Sequence, residues 1–182
     1  MSKHPPLEDS FGRIHTYLRV SVTDRCNYRC VYCMPEEGLS WIPRDELLRY
    51  EEIVRIVRVM AEMGIEKVRI TGGEPTLRSD IEQLIAGIAA VPGIRDIAMT
   101  TNAHTLAKLA DRLAAAGLSR VNISIDSVDS ARFARLTRGG DLERVLEGIE
   151  AARAAGLTPI RLNAVVLAGE NEDDLFEMVD FF

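Results

Sequence analysis

Cys26, Cys30 and Cys33 are the only cysteines in the 182 residues, and they lie within one eight-residue stretch as C-x3-C-x2-C. Three thiolates at this spacing can ligate three irons of a cubane and leave the fourth iron open to an outside ligand; a closed electron-transfer cluster normally takes four cysteines. An odd, clustered count suits metal ligation better than a disulfide framework. A structural zinc would want a second ligand pair downstream. The remaining candidates, His4, His15 and His104, are scattered. Zinc, or three merely structural cysteines, are the competing readings at this point.

A second group of chemically suggestive residues is Gly72-Gly73-Glu74-Pro75. Glycine lets a backbone approach a ligand closely, and a carboxylate beside exposed carbonyls makes a receptor for an ammonium group. Taken alone, the four residues are also ordinary turn vocabulary. Arg19 and Arg69 sit in apolar runs, where a planar, permanently charged guanidinium suits phosphate oxygens. Ser124, in Asn122–Asp126, carries a hydroxyl that could reach a cofactor.

The elements that must position these residues alternate regularly. Strands are expected at Leu18–Thr23, Lys67–Thr71, Asp96–Thr101, Arg120–Asp126 and Ile160–Leu167. Helices are expected at Asp45–Met63, Ile81–Ala90, Leu106–Ala116, Leu142–Ala155 and Asp173–Phe182. Strands alternating with helices predict an α/β fold with a parallel sheet and right-handed crossovers, either a barrel or a doubly wound sheet. In both, chemistry collects at the carboxyl ends of the strands. The cysteines, Gly-Gly-Glu-Pro, Thr100-Thr101-Asn102 and Ser124-Ile125-Asp126 all fall there.

Composition narrows the function classes. The formal net charge is −6 and 47% of residues are hydrophobic. An acidic balance argues against a nucleic-acid binder, although local arginines can still make a basic pocket. No apolar run approaches the ~20 residues that span a bilayer, and Met1–Ser10 lacks a signal-peptide segment. A cytoplasmic location is expected. The chain stops at Val179-Asp180-Phe181-Phe182 inside an amphipathic helix, which reads as a truncated form.

The cysteine spacing after the first strand, with Tyr32 before the last cysteine, resembles the radical S-adenosylmethionine superfamily. The resemblance runs from about residue 16 to the end, so 1–15 reads as an N-terminal extension and 16–182 as the core domain. It implies a partial (βα)6 TIM-like barrel, truncated after about five βα units. It also implies a [4Fe–4S] cluster on Cys26, Cys30 and Cys33, with S-adenosylmethionine chelating the open iron and cleaved to a 5′-deoxyadenosyl radical. Tyr32, Gly73, Glu74 and Ser124 are the implied cofactor contacts.

The flanking segments Tyr17–Pro35, Val68–Arg78, Met99–Asn102 and Val121–Ser127 are similar to the GTP 3′,8-cyclase family of molybdenum cofactor biosynthesis. That similarity implies GTP as substrate, with Arg19, Arg69, Thr100 and Arg161 as its contacts, where Arg161 replaces a usual lysine. In that family the adenosyl radical takes the 3′ hydrogen and the ribose radical attacks C8 of guanine. An electron donor such as flavodoxin or ferredoxin and a homodimer are the implied partners. Ala103 stands where the family has glycine, so a positive φ there would strain the turn by about 1 kcal/mol. The family's second three-cysteine cluster and its two-glycine tail have no counterpart in these residues. They are expected in a missing C-terminal region, and this chain alone is expected to bind GTP poorly. The alternatives are another radical enzyme, such as a peptide-modifying one, and a non-catalytic iron–sulfur module.

Overall fold

Short β-branched runs flanked by glycine turns build five strands: β1 (Tyr17–Ser21), β2 (Lys67–Thr71), β3 (Asp96–Thr101), β4 (Arg120–Ser124) and β5 (Arg161–Asn163). They appear in a computed structural model that describes residues 5–181. All four pairings are parallel and the strand order is β1-β2-β3-β4-β5. A doubly wound sheet reverses strand order partway. This one does not, so of the two expected architectures it is the barrel-type arrangement, five strands of it.

Side-chain alternation along a strand gives the sheet two different faces. Val68, Ile70, Ile97, Met99, Val121 and Ile123 are buried and belong to the core. That core also takes Ile53 and Val57 from α1 (Tyr50–Glu62), Ile81, Leu84, Ile85 and Ile88 from α2 (Ile81–Ala89), and Leu113 from α3 (Ala110–Ala115). Phe133 of α4 (Ser130–Thr137) and Val145 and Ile149 of α5 (Leu142–Ala154) complete it. The opposite face carries Arg19, Arg69, Thr100, Asn122 and Arg161 and forms the concave, lumen side. The last element is α6 (Asp174–Phe181). Phe182 and residues 1–4, including His4, lie outside the described residues. No helix among the described residues is long and apolar enough to cross a membrane.

Several boundaries differ from expectation for identifiable reasons. The helix expected from Asp45 begins at Tyr50, because the Glu52 carboxylate accepts from the Arg49 N–H at 2.7 Å and caps the chain there. The helix expected over Leu106–Ala116 is a 3₁₀ turn, Leu106–Lys108, followed by α3. The strand expected over Ile160–Leu167 shrinks to three residues. Beyond it, Asp126 Oδ1 takes the Val165 N–H at 2.9 Å and Asn171 Oδ1 takes that of Leu167 at 2.8 Å, so side chains replace a ladder partner. Helix α4 was not expected at all; its N-cap is Asp129, whose carboxylate accepts from the Arg132 N–H at 2.7 Å.

Candidate radical-generating site

The cysteine loop is held at both ends and in its middle. At its start, Gly73 N donates to Thr23 O and Glu74 N to Arg25 O, each at 2.7 Å. This contact explains the glycines differently from the ligand-approach argument. A Cβ at Gly73 would lie 2.3 Å from the Arg25 carbonyl oxygen, and one at Gly72 would lie 2.5 Å from that of Thr23. They are small because the β2 loop presses against the cysteine loop.

In the middle, Tyr28 is buried at 3% exposure. Its hydroxyl hydrogen-bonds with His104 Nδ1 at 3.0 Å, and its ring meets His104 and Phe133 edge-on. The Arg29 guanidinium closes the turn on the carbonyls of Cys26 (2.8 Å) and Tyr28 (2.9 Å) and lies over Trp41. The Arg29 and Val31 N–H groups then dock on Thr137 O and Leu136 O at the end of α4.

All three thiols are free, Cys26 and Cys30 half-buried and Cys33 exposed. Among the described residues no three His, Cys, Asp or Glu side chains are gathered to hold one ion. A single zinc needs such convergence, whereas a cubane takes each thiolate on a different iron. The donor set fits a cluster. Cys26 Sγ already accepts from Tyr28 N at 3.5 Å and lies 3.9 Å from Asn102 Nδ2, and such outer-shell donors stabilise a ligating sulfur. Burial pushes the Cys26 thiol up, with the Glu74 carboxylate adding to it against the Tyr28 N–H. Burial, then Asp126, push Cys30 up to about 11. Protons leave these sulfurs readily only when a cationic centre takes their place.

The remaining expected residues divide into those that face the open lumen and those that do not. Ser124 ends β4 on the lumen face, in register with Asn163. Tyr32 donates its hydroxyl to Asp126 Oδ2 at 2.8 Å, and burial together with that carboxylate holds the phenol far above its usual range. Glu74 departs from the ammonium-receptor reading. It is 1% exposed, and its carboxylate accepts from Thr76 N, Thr76 Oγ1, Thr101 Oγ1 and Asn102 N at 2.6–3.0 Å. The side chain is a bracket between β2 and β3, and burial, resisted by these donors, raises its pKa.

On the lumen face Arg19 and Arg69 are direct register partners, and Thr100, Asn122 and Arg161 form a row across β3, β4 and β5. The structure therefore brings Arg19, Arg69, Thr100, Arg161 and Ser124 onto one surface, below the cysteine loop. None of Arg19, Arg69 and Arg161 makes an ion pair among the described residues. Sequence reasoning passed over Tyr28, Asn102 and Asp126, which hold the loop. It also passed over Asn122, although an amide between Val121 and Ile123 inside a strand was a visible signal.

The comparisons agree with this geometry. The sequence profile of the Radical SAM superfamily matches residues 20–182. GTP 3′,8-cyclase of Listeria monocytogenes is 54% identical over 175 residues, covering 96% of this chain and 53% of that protein. The enzyme of the same name from Pseudomonas entomophila is 49% identical over 182 residues, covering 100% and 54%. The chain thus spans about half the length of the curated relatives it matches. Among solved structures, Streptococcus suis SuiB bound to S-adenosylmethionine superposes with TM-score 0.72 at 25% identity, covering 91% of this chain and 37% of SuiB. With the superfamily profile spanning nearly the whole chain over a parallel sheet and a three-cysteine loop, this chain belongs to the Radical SAM superfamily.

Proposed function

We propose that this chain is the radical-generating part of a GTP 3′,8-cyclase, converting GTP to (8S)-3′,8-cyclo-7,8-dihydroguanosine 5′-triphosphate in molybdenum cofactor biosynthesis. The observation that carries the reading is the single lumen face on which Arg19, Arg69, Thr100 and Arg161 lie below the cysteine loop. Relatives of that name at 48–54% identity support it.

Cys26, Cys30 and Cys33 hold a [4Fe–4S] cluster, and Tyr32, the Gly73 backbone and Ser124 border S-adenosylmethionine. When bound, these cofactors supply a carbon radical able to take a ribose hydrogen. The chain's own work is positional. Guanidinium groups of Arg19, Arg69 and Arg161 take the triphosphate, Thr100 orients it, and the loop clamps keep the sulfurs at fixed places. The expected second cluster belongs to sequence beyond these residues, and a flavodoxin- or ferredoxin-like donor supplies the electron.

The test is anaerobic reconstitution of the protein at its full natural length, followed by incubation with S-adenosylmethionine, reductant and GTP. Iron near four per cluster, 5′-deoxyadenosine and the cyclised nucleotide are expected, and Cys30→Ala abolishes both products. SuiB also has a structure bound to a precursor peptide, so 5′-deoxyadenosine formed with peptides but not with GTP would replace the cyclase reading. Colourless protein with one zinc would end it.

A further inference from the structure

The lumen face is tiered. Arg19, Arg69, Ala98 and Arg120 are register partners in one tier. Two residues further along the strands, about 6.6 Å nearer the cysteine loop, come Thr100, Asn122 and Arg161. Ser124 and Asn163 form the next tier. Asn122 therefore stands between the guanidinium tier and the tier bordering the cofactor.

Three buried side-chain atoms on this face have no hydrogen-bond partner: Arg69 Nε, Arg120 Nη1 and Asn122 Oδ1. Arg120 is otherwise paired with Asp96. Asn122 is 97% buried, 3% being exposed, and neither registered neighbour, Thr100 nor Arg161, bonds to it. A buried amide without a partner carries a desolvation penalty that an apolar residue of similar size would avoid. Its strand neighbours Val121 and Ile123 show that apolar residues pack well here. Two orphaned donors and, one tier up, one orphaned acceptor are complementary to a molecule with an anionic end and a hydroxyl or N–H donor beyond it. A nucleoside triphosphate lying along the strands has that order.

We propose that Asn122 is a substrate-positioning residue: its amide carbonyl accepts a hydrogen bond from a ribose hydroxyl of a nucleotide whose phosphates rest on the arginine tier. This rests on the GTP reading above. The exposed side chain of Arg161, next to Asn122 on the edge strand, uncovers the amide as it turns to a phosphate. The sugar is then held one tier below Ser124, beside the cofactor.

The experiment measures binding of GTP, 2′-deoxy-GTP and 3′-deoxy-GTP to the reconstituted full-length protein and to Asn122→Ala, by calorimetry. Asn122→Ala should weaken GTP at least tenfold, leave S-adenosylmethionine affinity unchanged, and make no difference for the analogue that lacks the contacted hydroxyl. Equal GTP affinity in variant and wild type overturns the proposal, as does an equal loss for GTP and both analogues, which would mark a structural role. If Asn122→Ala fails to fold, Asn122→Ser carries the same comparison. Wild-type protein that binds no GTP while cleaving S-adenosylmethionine would instead sink the substrate reading itself.

Discussion

The two faces of the sheet are made from alternate residues of the same strands, yet they obey opposite rules. On the helix side Val68, Ile70, Met99, Val121 and Ile123 are at most 1% exposed and pack into one core. On the lumen side, one residue away in each case, lie unpaired guanidiniums and orphaned polar atoms. The core face satisfies its own chain; the lumen face leaves groups unsatisfied that only a ligand can satisfy. Stability and binding are thereby assigned to opposite parities of the same five strands, so substitutions can separate them.

The largest expected effect breaks the core face. Ile123→Ala removes a fully buried side chain and should cost about 2–5 kcal/mol in chemical denaturation. Arg69→Ala, on the lumen face of the neighbouring region, should shift stability by less than about 0.5 kcal/mol, because its Nε has no partner to lose. Calorimetry on the full-length protein should show the reverse order, with Arg69→Ala weakening GTP far more than S-adenosylmethionine. Comparable losses of stability for both variants would erase the distinction between the faces.

The same parity explains what could be read before the fold was known. Strands β2 and β3 have the expected bounds, Lys67–Thr71 and Asp96–Thr101, since the local pattern and the tertiary environment agree there. Strand β5 does not, because Asp126 and Asn171 capture its amides from positions far off in sequence. Cys26, Cys30 and Cys33 were legible as ligands from spacing alone. Glu74 was not legible in its actual role, since its partners Thr101 and Asn102 are supplied by another strand. Long-range hydrogen bonds of this kind leave no periodic trace.

A middle-sized effect tests the bracket that joins the faces at the mouth of the barrel. Glu74 accepts four hydrogen bonds and donates none. Glu74→Gln turns one acceptor into an N–H₂ facing donors, and should cost about 1–3 kcal/mol. The wild-type group also predicts a pH dependence. Its folded pKa is raised above the usual 4.5 by burial, so its contribution is fully present below that value and is lost as pH rises through the folded pKa. Denaturation curves of Glu74→Gln should lack that part of the slope; an unchanged slope would show that Glu74 is not its source.

The smallest effect belongs to Ala103, which follows β3 where the two faces meet. Its φ is +60°, as the glycine expected at this turn would have allowed, and it is fully buried. Left-handed backbone costs alanine about 1 kcal/mol. Ala103→Gly recovers that, but loses a buried methyl worth about 0.8 kcal/mol and about 0.4–1 kcal/mol through the freer unfolded chain. The net loss should stay below about 1 kcal/mol. Ala152→Gly is the control, since Ala152 is equally buried but lies inside α5. There the methyl loss adds to a helix penalty of about 1 kcal/mol, with no strain to relieve, so the total approaches about 2 kcal/mol. Equal losses at the two sites would mean that Ala103 is unstrained and that the turn after Asn102 accepts a side chain at no cost.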